Sequence, residues 1–275
     1  MKVITISNQK GGVAKTTTTW ALANGLTAKG YSVLVIDLDP QSNLSLCSLA
    51  KTIIELEEDS KSPNKPTLNK AFEDLRNRNG RLTRTASYEV LVEKSIFGYD
   101  IIASDLRLAN ADSSFSAIAG RESFLKKIIK TLTKPYDFIL IDTPPTLGTL
   151  VMNALSASDY VIIPAAVDIF SIAGFKQLDG FIYNIRDNYN PNLEILGILV
   201  TKYHERELVT KKYLDVLKDT ASNIDYDLFD TKIRESAGLR QAQSNKENPF
   251  LTDTKINAIN DYQNFVDEVL AKIND

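Results

Sequence analysis

The residues whose types and spacing best suit chemistry stand near the start of the chain, in the segment Asn8-Gln9-Lys10-Gly11-Gly12-Val13-Ala14-Lys15-Thr16-Thr17. Glycines let the backbone turn tightly enough to direct several N–H groups at one anion, and a following helix adds its positive N-terminal dipole. Lys15 is placed to reach the β- and γ-phosphates of a nucleotide, and the Thr16 hydroxyl to complete a magnesium site. The sequence therefore predicts a site for a nucleoside triphosphate. Its predicted binding residues are Gly11, Gly12, Val13, Ala14, Lys15, Thr16 and Thr17.

Three acidic residues stand at the ends of apolar runs and are candidates to complete this site. Asp37 and Asp39 close the run Val33 to Ile36, and Asp142 closes the run Phe138 to Ile141. Alternate residues of a strand point the same way, so Asp37 and Asp39 share a direction if extended geometry continues. A single acid at such a place is often a helix cap or a turn residue. Three acids beside one loop favour a magnesium site, in which Asp142 contacts the ion while Asp37 and Asp39 hold magnesium-bound water and orient the attacking water.

The elements that must position these residues are short apolar runs separated by helix-like stretches. Most runs are unbroken, which is typical of strands buried on both faces of a parallel sheet. The predicted strands are Val3 to Ile6, Val33 to Ile36, Tyr99 to Ala103, Phe138 to Ile141, Tyr160 to Ile163 and Ile195 to Val200. The predicted connecting helices are Thr16 to Lys29, Arg121 to Leu132 and Ile172 to Arg186. This order predicts an α/β fold, a mostly parallel twisted sheet flanked by helices on both faces.

The chain length and composition predict one domain over residues 1–275. With 275 residues and 43% hydrophobic composition, the chain can bury one large core. The stretch from Lys51 to Ser95 is the least regular, with an acidic run followed by Pro63 and Pro66. We expect it to be a surface excursion with helices around Leu68 to Asn77 and Tyr88 to Val92.

The charge of the chain bears on nucleic-acid binding. The formal net charge is −3 and the pI is about 5.4, so no global positive field attracts DNA, and any DNA site must be a local patch. Acidic residues lie among the candidate basic residues, and mixed charge is also typical of an ordinary solvated face. The candidates for contacts with DNA phosphates are Arg206, Arg234, Arg240, Lys211 and Lys212.

Other features argue against membrane, disulfide and metal-cluster roles. The N-terminus lacks the length and composition of a signal peptide, and no run approaches 18 apolar residues, so we expect a cytoplasmic protein. The last segment, Thr254 to Ile273, predicts a helix packed on the sheet, because its polar side is acidic and not basic. Cys47 is the single cysteine, which excludes an internal disulfide or a cluster bound by two cysteines of one chain.

The loop resembles the deviant Walker A pattern of the ParA/MinD ATPases, K-G-G-x-x-K-[ST], in which Lys10 matches the signature lysine. The plain P-loop pattern would require glycine where the chain has Gln9 and Ala14. The sequence D-x-D-P-Q beginning at Asp37 matches the switch segment of that family. The resemblance implies a P-loop NTPase-like fold, ATP and Mg²⁺ as cofactors, and a homodimer that closes on ATP through Lys10. It also implies that Lys10, Lys15 and Asp39 are the catalytic residues.

Several kinds of protein share this loop, so the motif alone does not select the biological role. Proteins that carry metal clusters need paired cysteines, and this chain has only Cys47. MinD-type regulators need a basic amphipathic tail, and the polar side of the last segment of this chain is acidic. Because the loop begins at residue 8, we expect no operator-binding domain ahead of it. The resemblance is therefore greatest to short ParA/Soj-type partition ATPases. It implies an ATP-bound dimer that binds double-stranded DNA nonspecifically on the nucleoid and is released when a ParB-like centromere-binding protein stimulates hydrolysis.

Two alternatives remain open from the sequence. One is a positioning ATPase that places a cargo or the division site with respect to the nucleoid. The other is a small-molecule enzyme of the dethiobiotin-synthetase kind, although no motif marks a second substrate pocket.

Overall fold

The computed structural model describes residues 1–83, 85–167, 169–204, 208–251 and 256–274. Within these ranges the chain forms one eight-stranded sheet in the order β3-β4-β2-β5-β1-β6-β7-β8. Only β3 runs antiparallel to its neighbour, so the predicted mostly parallel α/β sheet is confirmed. The strands are β1 (Lys2–Ile6), β2 (Val33–Asp37), β3 (Val92–Lys94), β4 (Asp100–Ile102), β5 (Phe138–Asp142), β6 (Tyr160–Ala166), β7 (Glu194–Tyr203) and β8 (Leu228–Arg234).

Helices cover both faces of the sheet. On β2, Val35 packs into a cluster with α1 and α11, while its neighbours Leu34 and Ile36 pack into a cluster with α4 and α6 on the other face. Strand residues alternate between faces, so apolar residues at consecutive positions require a cover on each side. The helices are α1 (Lys15–Ala28), α2 (Asn43–Ser48), α3 (Ile53–Lys61), α4 (Leu68–Asn77), α5 (Ala111–Phe115), α6 (Phe124–Lys130), α7 (Thr149–Ala157), α8 (Ile169–Asn188), α9 (Leu208–Asn223), α10 (Ala237–Ser244) and α11 (Asn257–Asn274).

The six predicted strands are all present, and two further strands were not predicted. β3 is a three-residue edge strand with no apolar run to reveal it. β8 closes the other edge of the sheet and has no unbroken apolar run, because only Phe229 and Ile233 on it are buried.

The stretch from Lys51 to Ser95 differs from the predicted surface excursion. Helix α4 lies at the predicted position, but Leu68, Phe72 and Leu75 on it are fully buried, and β3 belongs to the sheet. Instead of a helix at Tyr88 to Val92, a short 3-10 helix covers Glu89–Leu91. The prolines and charged residues of this segment suggested a surface location, and the burial of the apolar face of α4 was therefore not predicted.

Helix α1 is held in the core by α11, which fixes the loop that precedes α1. A Cβ atom on Gly25 of α1 would lie 2.6 Å from Cγ2 of Val266 on α11, so only glycine permits this approach. As predicted for the last segment, α11 packs its apolar residues against the core. The first two residues of that predicted segment, Thr254 and Lys255, lie outside the described residues. Among the helices of the described ranges, none combines the length and apolarity needed to cross a membrane.

Candidate nucleotide-binding site

The glycine-rich loop joins the carboxyl end of β1 to the N-terminus of α1. Gly12 has a φ of 75°, in the left-handed region that glycine adopts at little cost. Ala14 has a φ of 67° although it carries a Cβ atom, and it stands where the plain P-loop pattern has glycine. No side chain of the described residues caps the N-terminus of α1, so the N–H groups of its first turn are presented to the loop. This arrangement suits an anion such as a phosphate.

Two side chains brace the loop internally. Nζ of Lys15 donates a hydrogen bond to the carbonyl oxygen of Lys10 at 3.0 Å, which spans the loop. The Asn8 side chain accepts from the Lys10 N–H at 3.0 Å and donates to the carbonyl oxygen of Pro164 on β6 at 2.7 Å. Burial lowers the pKa of the Lys15 ammonium, while nearby Asp142 and Asp39 act in the opposite direction. These contacts hold the buried Lys15 against the loop.

The predicted carboxylates meet beside this loop. Asp37 and Asp142 are register partners at the ends of neighbouring strands β2 and β5. The Thr16 hydroxyl donates to Oδ2 of Asp142 at 2.7 Å. Burial, followed by the charge of Asp37, raises the pKa of Asp142 well above its usual range. Burial also raises the pKa of Asp37 to about 7, against the effect of hydrogen bonds from Ser45.

These oxygen donors fit a magnesium ion. Mg²⁺ accepts a hydroxyl and a carboxylate as ligands, either directly or through water, and Thr16 and Asp142 supply one of each. A bound cation would also favour the ionised forms of the Asp37 and Asp142 carboxylates, which burial disfavours. In the part of the chain that the structure describes, no three His, Cys, Asp or Glu side chains lie together closely enough to hold a metal ion. The remaining ligands would therefore have to come from phosphate oxygens and water, as is usual for Mg²⁺ in nucleotide sites.

Asp37 has a second set of contacts that the sequence did not predict. Its Oδ1 accepts from the N–H of Asp39 at 3.1 Å, and its Oδ2 accepts from the N–H and the hydroxyl of Ser45 at 2.9 and 2.7 Å. The Ser45 hydroxyl oxygen in turn accepts from the N–H of Ser104 at 2.9 Å, and the Ser104 hydroxyl donates to the carbonyl oxygen of Asp39 at 2.6 Å. The four residues form a closed ring of hydrogen bonds that fixes the backbone of Asp39.

Asp39 itself lines the cavity in front of the loop and is 8% exposed. Its Oδ1 accepts from the N–H of Gln41 at 2.9 Å. Asp39 and Lys15 thus line the same cavity, and the catalytic role of Asp39 stays a prediction.

The cavity has a volume of about 430 Å³, within the usual range for small-ligand sites. The loop, the segment from Ile233 to Arg240 and Tyr262 all contribute to its lining. Two contacts join α1 to α10 and α11: the Thr17 hydroxyl donates to Oε1 of Gln243 at 3.1 Å, and the hydroxyls of Thr18 and Tyr262 lie 3.2 Å apart. No local motif marks Gln243 or Tyr262, so sequence analysis missed them.

The basic candidates for DNA contacts do not form one uniform patch. Arg234 makes a two-pronged ion pair with Asp261 at 2.7 and 2.8 Å, and Arg240 pairs with Glu235 at 2.8 Å. Both arginines line the mouth of the nucleotide cavity. Their pairing with carboxylates reduces the positive potential that they present to a phosphate backbone.

Two other basic candidates, Lys211 and Lys212, lie on α9, and Lys212 is exposed. Arg206 lies outside the described residues. His204 contacts Glu235 through Nε2 at 3.0 Å.

The chain is similar over residues 1–195 to a protein family described as an AAA domain. It is 30% identical to the chromosome partitioning protein ParA of Caulobacter vibrioides over 277 residues, which cover 100% of this chain and 96% of that protein. Among solved structures, the cobyrinic acid a,c-diamide synthase of Mycobacterium smegmatis with bound ADP and magnesium has a TM-score of 0.78 and 28% identity, covering 100% of this chain and 96% of that one. A putative plasmid partition protein of Borrelia burgdorferi bound to AMPPNP has a TM-score of 0.76 and 26% identity, with 98% and 99% coverage.

Proposed function

Because this chain belongs to the ParA/MinD family of ATPases, we propose that it is a DNA partition ATPase whose ATP-bound homodimer binds DNA nonspecifically. A ParB-like partner then stimulates hydrolysis and releases the dimer from the nucleoid. The observation that carries the proposal is the full-length similarity to a chromosome partitioning ParA.

The chain hydrolyses ATP with Mg²⁺ as cofactor, and we assign the steps to the residues of the cavity. Mg²⁺, when bound, neutralises charge on the β- and γ-phosphates. Lys15 and the N–H groups of the loop hold the phosphates, while Thr16 and Asp142 would hold the cation. Asp39 orients the water that attacks the γ-phosphorus, and the bond to the ADP oxygen breaks to give ADP and phosphate. Asp37 acts through the backbone of Asp39 and would also hold a magnesium-bound water.

The nucleotide also works as a switch in this proposal. Lys10 of each subunit reaches the phosphates bound by the other subunit, so the dimer is stable only while ATP is present. Loss of the γ-phosphate removes the shared charge contacts and the subunits separate.

The DNA-binding step depends on the basic residues that acids do not neutralise. Lys212 is exposed, whereas Arg234 and Arg240 are each paired with a carboxylate. We therefore expect the predicted contact Lys212 to contribute more to DNA binding than the two paired arginines. Dimerisation would double the number of contacts and make the affinity depend on ATP.

The direct test measures binding of the slowly hydrolysing Asp39→Ala variant to nonspecific duplex DNA, by fluorescence anisotropy over a range of salt concentrations. Binding with ATP alone, weakened by salt, is the expected result. Equal binding with ATP, ADP and no nucleotide would contradict the switch. Absence of binding at every salt concentration would contradict the partition role itself.

A second candidate function is a small-molecule enzyme, since the cobyrinic acid a,c-diamide synthase of Mycobacterium smegmatis is 28% identical to this chain. The two functions differ in what accelerates ATP hydrolysis. Stimulation by DNA together with a ParB-like protein supports partition. Stimulation by a carboxylic acid and an amide-nitrogen donor, without an effect of DNA, supports the enzyme.

A further inference from the structure

A lysine at the end of β7 lies beside the phosphate-binding loop. It belongs neither to the loop motif K-G-G-x-x-K-[ST] nor to the D-x-D-P-Q segment. The buried hydroxyl of Thr201 donates to the carbonyl oxygen of Val13 at 3.1 Å, which joins the end of β7 to the loop. The next residue, Lys202, lines the same cavity as Gly11, Gly12 and Lys15. Its Nζ lies 4.0 Å from the position that a Cβ atom on Gly12 would occupy.

The backbone of Lys202 explains how two consecutive residues face the same loop. In an extended strand, neighbouring side chains point to opposite faces of the sheet. Lys202 instead has a φ of 52°, a left-handed conformation that is uncommon for a residue other than glycine. This conformation lets the Lys202 side chain face the loop beside Thr201. Uncommon backbone conformations of this kind cluster at functional sites.

The charge of Lys202 is also available to a ligand. Among the described residues, no carboxylate forms an ion pair with it, whereas Arg234 and Arg240 on the rim of the same cavity are paired with acids. Lys202 is exposed, so its ammonium retains the mobility to reach an anion in the cavity. The chain thus brings a lysine from β7 to the same cavity as the buried Lys15.

We propose that Lys202 is an additional phosphate-binding lysine of the ATP site, supplied by β7, which contacts the terminal phosphates of the bound nucleotide. The inference rests on ATP binding in this cavity and is independent of DNA, the partner protein and dimerisation. A charge contact to the terminal phosphates strengthens with the number of phosphates, so Lys202 favours ATP over ADP and ADP over AMP.

The test compares Lys202→Met with the unmodified chain by calorimetric titration of ATP, ADP and AMP at low and high salt. Methionine keeps the length of the side chain and removes its charge. We expect the Kd for ATP to rise about 10-fold at low salt, with a smaller rise for ADP, little change for AMP and a smaller difference at high salt. Lys202→Arg should stay within about 3-fold of the unmodified chain because it keeps the charge. Lys61→Met, on an exposed lysine outside the cavity lining, is the matched control.

A second variant separates charge from backbone strain. Lys202→Gly removes the ammonium while relaxing the left-handed backbone, so the fold should be at least as stable as before. It should lose ATP affinity to the same extent as Lys202→Met. This keeps the test decisive if the methionine variant folds poorly.

Two results would overturn the inference: unchanged ATP affinity in both variants at low salt, or an equal loss for ATP, ADP and AMP. The Lys15→Ala variant, titrated in parallel, separates this failure from a failure of the site. If Lys15→Ala loses ATP binding while the Lys202 variants do not, the site stands and the role of Lys202 is wrong. If the unmodified chain binds no nucleotide, the ATP site fails, and the inference fails with it.

Discussion

The hydroxyl of Ser104 donates a hydrogen bond of 2.6 Å to the backbone carbonyl oxygen of Asp39. Ser104 follows β4 and Asp39 follows β2, and these two strands are neighbours in the sheet. Both residues are buried, so little water competes for the bond. The contact makes Ser104 a positioning residue for the carboxylate assigned to hydrolysis.

Ser104→Ala should therefore lower kcat for ATP hydrolysis about 10-fold while leaving the Kd for ATP nearly unchanged. The reason is that the Asp39 backbone loses one of the bonds that fix it, while the phosphate-binding loop is untouched. Steady-state hydrolysis and ATP titration check the two halves of the prediction. Ser113→Ala is the matched control, since the Ser113 hydroxyl makes an exposed hydrogen bond to the carbonyl oxygen of Asn110, away from Asp39. Normal kcat in Ser104→Ala would remove Ser104 from this role.

Lys15→Ala should weaken ATP binding at least about 100-fold, because it removes the buried ammonium at the centre of the loop and leaves Asp142 without its neighbouring cation. Titration with a fluorescent ATP analogue measures the loss, and circular dichroism checks that the variant is folded. Lys61→Ala should bind as the unmodified chain does. Retained binding in a folded Lys15→Ala variant would contradict the assignment of the loop.

Asp39→Asn should lower the hydrolysis rate by about 100-fold and preserve ATP binding. Asparagine keeps an oxygen that can accept from the Gln41 N–H, so the substitution isolates the carboxylate charge. Single-turnover hydrolysis and ATP titration separate the two effects. If Asp39→Asn hydrolyses ATP at the normal rate, the catalytic assignment is wrong.

The raised pKa of Asp37 predicts how stability depends on pH without nucleotide. Burial raises the pKa of Asp37 to about 7, against about 3.9 in an unfolded chain, so between these values the folded state binds more protons. The stabilising contribution is present below the unfolded pKa and is lost as pH rises through the folded pKa. The free energy of unfolding should fall between about pH 4 and pH 7, by at most about 1.4 kcal/mol per pH unit for one proton.

Denaturant unfolding over this pH range is the measurement, with Asp37→Asn as the comparison. Asparagine does not titrate, so the decline should be shallower in the variant. Mg²⁺ and ATP should also reduce the decline, because a bound cation favours the charged carboxylates. An identical pH dependence in both proteins would assign the effect to other groups.

The ion pairs at the cavity mouth predict unequal effects on DNA binding. Lys212→Ala should weaken ATP-dependent binding several-fold and lower the salt slope by about 1, as expected for one lost phosphate contact. Arg240→Ala should change the affinity less than about 2-fold, because Glu235 already neutralises the arginine. Anisotropy titrations at several salt concentrations measure both quantities. A larger loss in Arg240→Ala than in Lys212→Ala would show that the arginine leaves Glu235 to contact DNA.

The site could be predicted where its chemistry is local in sequence. The two glycines and Lys15 stand within five consecutive positions of one loop, Gly11 to Lys15, and each acid directly ends a run of apolar residues. Buried parallel strands produce unbroken apolar runs, and the carboxyl ends of such strands meet at one edge of the sheet. The meeting of Asp37 and Asp142 followed from this pattern alone.

The edge strands of the sheet were harder to predict, because they do not produce the unbroken apolar runs of fully buried strands. An edge strand buries only part of its surface: β8 has only two buried residues, and β3 has only three residues in all. Neither pattern is distinct from that of a loop or a short amphipathic helix.

The sequence by itself determined the α/β fold, the phosphate-binding loop and the acids at the strand ends, because each depends on residues adjacent in the chain. The tertiary structure decided that Ser104 fixes Asp39, that Lys202 faces Gly12 and that Asp261 pairs with Arg234. These contacts join residues on different elements, whose spacing in the sequence carries no information on their distance in space. Only the packing of strands and helices around the shared core brings them together.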